Sequence, residues 1–536
     1  MMSTPPLRRL ALTLLLLALA ACGGGGGGGE TGPLPEVDTR AVAQDDPGST
    51  LPANWREGPF AEIFVRAYQD SDGDGIGDLQ GLISRLDYLQ NLGVTGLWLM
   101  PVTASQDADH GYAVSDYRRI ERDYGSLADF DALVAAAHAR GIGVVIDYVM
   151  NHSAARHPAF VNSKAGSGNP FRDWYVWQAG RPSGWNVFGG DPWRNGGSGW
   201  YYGAFWDQMP DFNLRNASVV EWHHDNLRFW LNRGVDGFRF DAVGNLVENG
   251  PNAWESQPQN YTLMRDVRQL VGGYAQRFVV CESPANPVPF ADACGSAFAF
   301  GHHGNLAAAA KGDTAAIRAV ADYFETAPLT MSTMLSNHDT FAGQRAWDQF
   351  GGDPAPYRLA AATLLLMPGT PFIYYGEEIG MAGAAALTGD PKLRTPMSWT
   401  ATPAGFTSGT PFRAVSANIV SQNVAAQLAD PNSLLAWYRA MIALRRANPS
   451  LSGGSYEAAV VNGSLLHFQR AVAGERSLVL INYGRGNAST TVDGLPASST
   501  LSNAFPPSGT DLATDAGGSV TVTVPAQSVR VLVLRS

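Results

Sequence analysis

Between about residue 60 and residue 375 the chain repeats one rhythm, a short apolar run followed by an amphipathic stretch, and this alternation restricts the fold more than any other feature. Apolar runs separated by helical segments mark βα units around a parallel sheet, whose strands are covered on both faces. Eight runs are strand candidates: residues 62–65, 96–99, 144–148, 237–240, 278–281, 297–300, 334–336 and 372–375. Helical stretches lie between several of them, including 79–91 and 127–140, the latter ended by Gly141. Eight strands with helical crossovers predict an α/β fold, a (β/α)8 TIM barrel. The competing doubly wound sheet would carry a glycine-rich phosphate fingerprint after its first strand, and none is present.

Two segments leave the rhythm. Residues 152–212, between strands three and four, hold six of the 14 tryptophans (Trp174, Trp177, Trp185, Trp193, Trp200 and Trp206) and read as a subdomain inserted on the C-terminal face of the barrel. Its aromatics form either a small core or exposed stacking surfaces. After about residue 441 short alternating runs (477–482, 520–524, 528–534) predict a C-terminal antiparallel β-sandwich over 441–536. The barrel is then assigned to 55–151 and 213–440.

At the amino terminus Arg8 and Arg9 precede the apolar run 10–20, which is too short to span a bilayer and has signal-peptide anatomy. The ending Leu19-Ala20-Ala21-Cys22 resembles a bacterial lipobox, which would remove residues 1–21 and put a lipid on Cys22; a plain secretory cleavage near Ala21 is the alternative. Seven glycines follow, then a Pro- and Asp-containing stretch, so 22–54 reads as a flexible tether. The expectation is an exported bacterial lipoprotein facing the periplasm or the cell surface, a monomer that meets the membrane only through its lipid. Cys281 and Cys294 remain, free to pair in an oxidising compartment. With 48 acidic against 37 basic residues the chain carries a formal charge of −11, which argues against nucleic acid as a partner.

In such a barrel the chemistry lies at the C-terminal ends of the strands. Strand three ends in Asp147-Tyr-Val-Met-Asn151-His152, strand four in Arg239-Phe-Asp241, strand five in Cys281-Glu282, and strand seven runs into Asn337-His338-Asp339. Any one of these acids alone is as readily a salt-bridged loop residue; three on three strands at one end are not. Two carboxylates facing one bond are what glycoside hydrolysis requires, one attacking or activating water and one protonating the leaving oxygen. Arg239 and Asp241 are two residues apart and share a strand face, so the guanidinium is expected to favour the ionised nucleophile. Glu282 follows an apolar run, where desolvation is expected to raise its pKa as a general acid needs.

Asp147-Tyr-Val-Met-Asn-His152, Gly237-Phe-Arg-Phe-Asp-Ala242, Val280-Cys-Glu282 and Leu335-Ser-Asn-His-Asp339 resemble, in order, the four signature regions of the α-amylase family, glycoside hydrolase family 13. The resemblance extends over roughly residues 58–536. It implies Asp241 as nucleophile, Glu282 as general acid/base, Asp339 as the third carboxylate, a retaining mechanism, and a sugar subsite formed by His110, Tyr112, His152, Arg239 and His338, with Asp147 and Asn151 supporting. Gln208-Met-Pro-Asp-Phe-Asn213 resembles the Met-Pro-Asp-Leu-Asn region of an intermediate group that includes α-amylases, and Ala242 stands where relatives specific for α-1,6 bonds carry Val. Both imply an α-amylase cleaving α-1,4 bonds in starch and maltooligosaccharides. An exo-acting α-glucosidase or oligo-1,6-glucosidase, a cyclomaltodextrinase and a glucan transglycosylase are the alternatives.

Asp70-Ser-Asp72-Gly-Asp74-Gly-Ile76-Gly-Asp78 places acids at alternate positions with glycines between them, as a loop wrapping a hard cation does. The position of an EF-hand's closing Glu is Gly81, and a solvated acidic turn is the other reading. The stretch resembles the loop after strand one in family members that bind structural Ca2+ through Asp70, Asp72, Asp74, Asp78 and the carbonyl of Ile76. The Lys-His pair that accompanies Asn151 in the family's other calcium site is Gly244-Asn245 here.

Overall fold

The computed structural model describes residues 33–535. Seven parallel strands form one sheet in the order Phe278–Cys281, Gly237–Phe240, Gly143–Tyr148, Gly96–Leu99, Phe60–Ile63, Thr370–Tyr374, Ser332–Thr333. Parallel bridges Cys281↔Ala297 and Phe298↔Ser332 insert the missing stave and close the barrel. The run 297–300 therefore supplies two bridging residues rather than a strand. The seventh strand lies at Ser332–Thr333, just before the expected 334–336, so Asn337 to Asp339 project from the loop beyond it. The helix expected over 79–91 is two, Leu79–Ser84 and Leu86–Leu92. Neither Gly nor Pro marks the break at Arg85, whose guanidinium is held by Gln69 Oε1 at 2.7 Å and lies 4.1 Å over the Trp399 ring.

Alternate residues of each strand point into the barrel, and their chemistry changes along its axis. Near the base the interior is packed by Trp55, Phe60, Phe278 and Phe372, all buried, each side chain contributing about 1.5–3 kcal/mol of transfer free energy. Further along the barrel axis, toward the C-terminal ends of the strands, stand Glu62, Asp147, Arg239 and Glu282, also buried. Parallel register pairs Asp147 with Arg239 and Glu62 with Trp98, so the strands themselves set acid beside base at the C-terminal end.

The insert carries a three-stranded sheet, Trp177–Gln178, Trp200–Tyr202 and Trp193–Asn195, over a core of Val187, Trp193 and Tyr202 flanked by Trp185 and Trp200. Most of its tryptophans are thus core; Trp206 is exposed, with Phe188 and Phe205 beside the site. The C-terminal unit pairs a six-stranded antiparallel sheet with a two-stranded layer around Leu465, Leu478, Leu480, Val522 and Val524. Its expected boundary at 441 falls inside helix Leu434–Ala447, which buries Leu435, Tyr438 and Ile442, and the first sandwich strand starts at Glu457.

The tether reading fails for residues 33–54. This segment is a strap along the barrel, its backbone satisfied by side chains of helix Ala217–Leu231 and beyond: Val42 N–H donates to Asp225 (2.9 Å), Trp222 Nε1 to the Asp38 carbonyl (2.8 Å) and Asn232 Nδ2 to the Ala43 carbonyl (2.9 Å). Polar, Pro-containing composition marked an absence of regular structure, and docking against fixed side-chain donors and acceptors supplies the order. The expected signal peptide, Cys22 and the glycine run lie outside the described residues. Cys281 and Cys294 are disulfide-bonded, with Cα atoms 6.2 Å apart. Among the described residues no helix is long and apolar enough to cross a membrane.

Candidate active site

Arg239 is the hub of the C-terminal end. Its Nη1 donates to Asp147 Oδ1 (2.9 Å) and to Asp241 Oδ1 (2.8 Å), and its Nη2 lies 2.7 Å from Glu282 Oε2. Asp147 is held in turn by Trp98 Nε1 at 3.2 Å and the Tyr112 hydroxyl at 2.9 Å. That hydroxyl lies 2.7 Å from His338 Nε2, and His338 stands 2.6 Å from Glu62 and 3.1 Å from Asp339. Asp339 is clamped from its other side by Arg394 at 2.7 Å. One network therefore joins residues from the ends of six strands, and it contains the three carboxylates expected to react or grip the sugar. Ala242, directly after Asp241, adopts a left-handed φ of 46°, and its N–H donates to Glu282 Oε2 at 3.1 Å, fixing the Glu282 carboxylate to the backbone beside the nucleophile.

Burial pushes the Asp241 carboxyl up to about 6; Arg239 pulls it down, but Asp147 and Asp339 offset that pull. Arg239 thus favours the ionised form as expected, but desolvation outweighs it. Burial likewise pushes Glu282 up to about 7, with Asp241 and Asp339 adding to the rise. Burial disfavours a charge on His338, yet Asp339 and Glu62 raise it to about 10, so it stays protonated. Although burial would raise Asp339, His338 and Arg394 hold it well below the usual carboxylate range. Burial lowers His152 to about 3, leaving a neutral ring whose buried Nε2 has no protein partner, the right state to meet a sugar hydroxyl.

His110 accepts the Tyr112 N–H on its Nδ1 (3.0 Å) and stands at the edge of the network. Asn151 is turned away from the acids and donates to Asp211 of the insert at 2.8 Å. Glu62, Trp98 and Arg394 complete the network without having been singled out from the sequence. Glu62 shares a strand face with Phe60, which was the available signal; Arg394 opens the stretch Arg394-Thr-Pro-Met-Ser-Trp399, which resembles family sequence after strand eight but does not by itself point to Asp339.

In the Asp-Gly loop, carboxylate oxygens of Asp70, Asp72 and Asp78 lie within 4.8 Å of one another. Gly75 has φ 94°, and a Cβ there would meet the Thr410 carbonyl oxygen at 1.9 Å, so the loop is pinned against residues 407–412. The all-oxygen donor set fits a hard cation. Asp74 lies outside that group of three; its Oδ1 accepts the Ile76 N–H at 2.7 Å.

The family described as alpha amylase, catalytic domain, matches residues 62–454. The chain belongs to the α-amylase family. It is 32% identical over 485 residues to an alpha-glucosidase of Pediococcus pentosaceus, covering 75% of this chain and 86% of that one. It is 31% identical over 514 residues to an oligo-1,6-glucosidase of Parageobacillus thermoglucosidasius, covering 80% and 90%. Among solved structures it is similar to the alpha-glucosyl transfer enzyme XgtA, with a TM-score of 0.77 and 32% identity over 90% of this chain and 99% of that one. As a family member this protein is a glycosidase, and an α-glucan substrate is consistent with its relatives. The relatives' names are mostly those of glucosidases and of glucosyl-transfer enzymes, with an alpha-amylase of Dictyoglomus thermophilum, 33% identical over 440 residues, among them.

Proposed function

We propose that this protein is an exo-acting, retaining α-glucosidase that removes single glucose units from the non-reducing ends of short α-1,4-linked oligosaccharides. The observation that carries this reading is an ion pair at the edge of the site: Arg413 Nη2 donates to Asp109 Oδ1 at 2.6 Å. The pair ties the loop after strand two, one residue before His110, to the segment after strand eight, and Arg413 also donates to the Arg394 carbonyl at 3.3 Å. It stands beside the Asp339–Arg394 clamp, where a longer chain would have to continue past the first sugar. Closing that side favours chain ends over the mid-chain cutting of starch expected from the Met-Pro-Asp-Phe-Asn pattern.

In this reading Asp241 attacks the anomeric carbon while Glu282 gives its proton to the departing glycosidic oxygen, forming a glucosyl ester. Glu282, now ionised, takes a proton from water as that water attacks the same carbon. The Asp241–carbon bond breaks, and glucose leaves with its original α configuration. Arg239 fixes the aim of Asp241; Asp339, held ionised between His338 and Arg394, accepts sugar hydroxyl hydrogen bonds. Phe205, whose ring centroid lies 5.3 Å from that of His152, offers the departing sugar an apolar face. Product analysis on maltotriose, isomaltose, cyclodextrin and soluble starch tests the reading. It expects glucose from maltotriose and little from the other three; rapid loss of starch viscosity contradicts it, and new disaccharides without net hydrolysis favour glucosyl transfer.

We further propose that Ca2+ at Asp70, Asp72 and Asp78 stabilises the first loop without taking part in the reaction, so chelator should lower the thermal midpoint; an unchanged midpoint refutes it. We also propose export as a lipoprotein anchored at Cys22. The Cys281–Cys294 disulfide supports an oxidising compartment. Palmitate labelling lost in Cys22→Ala is the expected result, and labelling that persists overturns it.

A further inference from the structure

We propose that the base of the barrel, opposite the catalytic face, holds a pocket for a phosphoryl-bearing small molecule, gripped by Arg56, Arg268 and Arg470. A cavity of about 540 Å3 opens between the rim formed by the starts of strands five and eight (Phe278, Thr370) and the C-terminal unit (Gly454, Arg470). That volume falls within the usual range for small-molecule sites, roughly 300–1,000 Å3. Four arginines line it, joined by a single acid, Glu57.

The charges there are not matched. Arg277 leans on Asp46 and Asp236, each at 3.6 Å. Arg56, Arg268 and Arg470 have only backbone carbonyls as partners among the described residues: Arg56 donates to the Arg277 carbonyl, Arg268 to that of Asp292, and Arg470 to those of Ser455, Leu366 and Gly454. Carbonyls satisfy donors but leave the charge. Arg56 and Arg268 each spend one of five N–H donors in this way and are exposed at the mouth of the cavity; Arg470 is 1% exposed. Behind it Arg445, fully buried, likewise meets only carbonyls, among them those of Leu365 and Met367. Burial holds the Arg470 and Arg445 guanidinium groups down to about 10 and about 9, still charged at neutral pH.

Arg66, Arg239 and Arg394, buried elsewhere in this acidic protein, have carboxylates, while Arg345 meets the carbonyls of Leu393 and Tyr375 and lies over the rings of Tyr374 and Tyr375. Among the described residues, only at the base do several such unmatched guanidinium groups surround one cavity. A cavity ringed by uncompensated arginines is a site completed by an anion. Two exposed guanidinium forks, Arg56 and Arg268, backed by the buried positive charge of Arg470, match the several oxygens and higher charge of a phosphoryl group better than a single carboxylate. The remaining volume accommodates a sugar-sized group attached to it.

Calorimetric titration of the full mature protein with inorganic phosphate, glucose 6-phosphate, gluconate and glucose tests the proposal. Binding of glucose 6-phosphate well above that of phosphate supports a phosphorylated organic ligand; equal binding of the two supports free phosphate as the source. Arg56→Ala/Arg268→Ala, at exposed positions far from the acids, should weaken that binding roughly tenfold or more while maltose hydrolysis is unchanged, which shows the fold intact. No heat from either phosphate at millimolar concentration, gluconate binding as well as glucose 6-phosphate, or undiminished binding in the double variant would each overturn the proposal.

Discussion

The two ends of one barrel treat buried charge in opposite ways. At the C-terminal end a single guanidinium, Arg239, is shared by Asp147, Asp241 and Glu282, and His338 is shared by Glu62 and Asp339, so acids outnumber bases. At the base, arginines gather around a cavity with one glutamate between them. Burial, with the excess of acid adding to it, raises two carboxyls into the range where protons exchange near neutrality, which suits a reaction on a neutral sugar. The excess of base leaves positive charge with no internal partner, which suits holding an anion. Net charge, −11 over the chain, reports neither; the local surplus does.

The largest effect that would break this contrast is loss of either raised acid. Asp241→Asn and Glu282→Gln should each lower kcat on maltose by roughly 10⁴ or more. Activity within tenfold of the parent in either variant would remove that acid from the reaction. Arg239→Lys keeps the charge but cannot reach three carboxylates with one ammonium group. Its kcat should fall on the order of 10²-fold with a smaller change in KM. If it matches the parent, the shared fork is not what aims the nucleophile.

A third test concerns the tie between the ends. The disulfide closes a loop that begins beside Glu282 and ends at Cys294, which lines the basal cavity. Opening it with Cys281→Ala/Cys294→Ala should cost about 3 kcal/mol by loop-closure entropy, read as a lower thermal midpoint insensitive to dithiothreitol. An unchanged midpoint would make the bridge dispensable.

The smallest effect is the pH profile. Asp241, raised to about 6, must be ionised to attack, so kcat/KM should fall as pH drops through 6; Glu282, raised to about 7, must be protonated, so it should fall again as pH rises through 7. A bell centred between those values is expected from initial rates on maltose, and a plateau extending to pH 9 would contradict the assignment of Glu282.

How much of this was legible in the chain varied with how local the cause was. Strands at Gly96–Leu99, Gly237–Phe240 and Phe278–Cys281 match their expected bounds because runs covered on both faces leave no ambiguity of period. The sixth stave did not, since two bridging residues carry too little pattern. The reacting acids were visible because each follows its own strand. Arg394 and Arg413 were not, because they reach Asp339 and Asp109 across more than fifty residues and three hundred residues respectively, and no spacing rule encodes such pairs. The strap at 33–54 was misread because its order comes from partners on distant helices.

The central claim, attack at chain ends, is tested most directly with a maltooligosaccharide blocked at its non-reducing end, compared with the same chain unblocked, products being followed by chromatography and polarimetry. The unblocked chain should release glucose, first as the α anomer, while the blocked chain stays intact. Mid-chain fragments from the blocked chain would contradict exo action, and glucose appearing first as the β anomer would contradict retention.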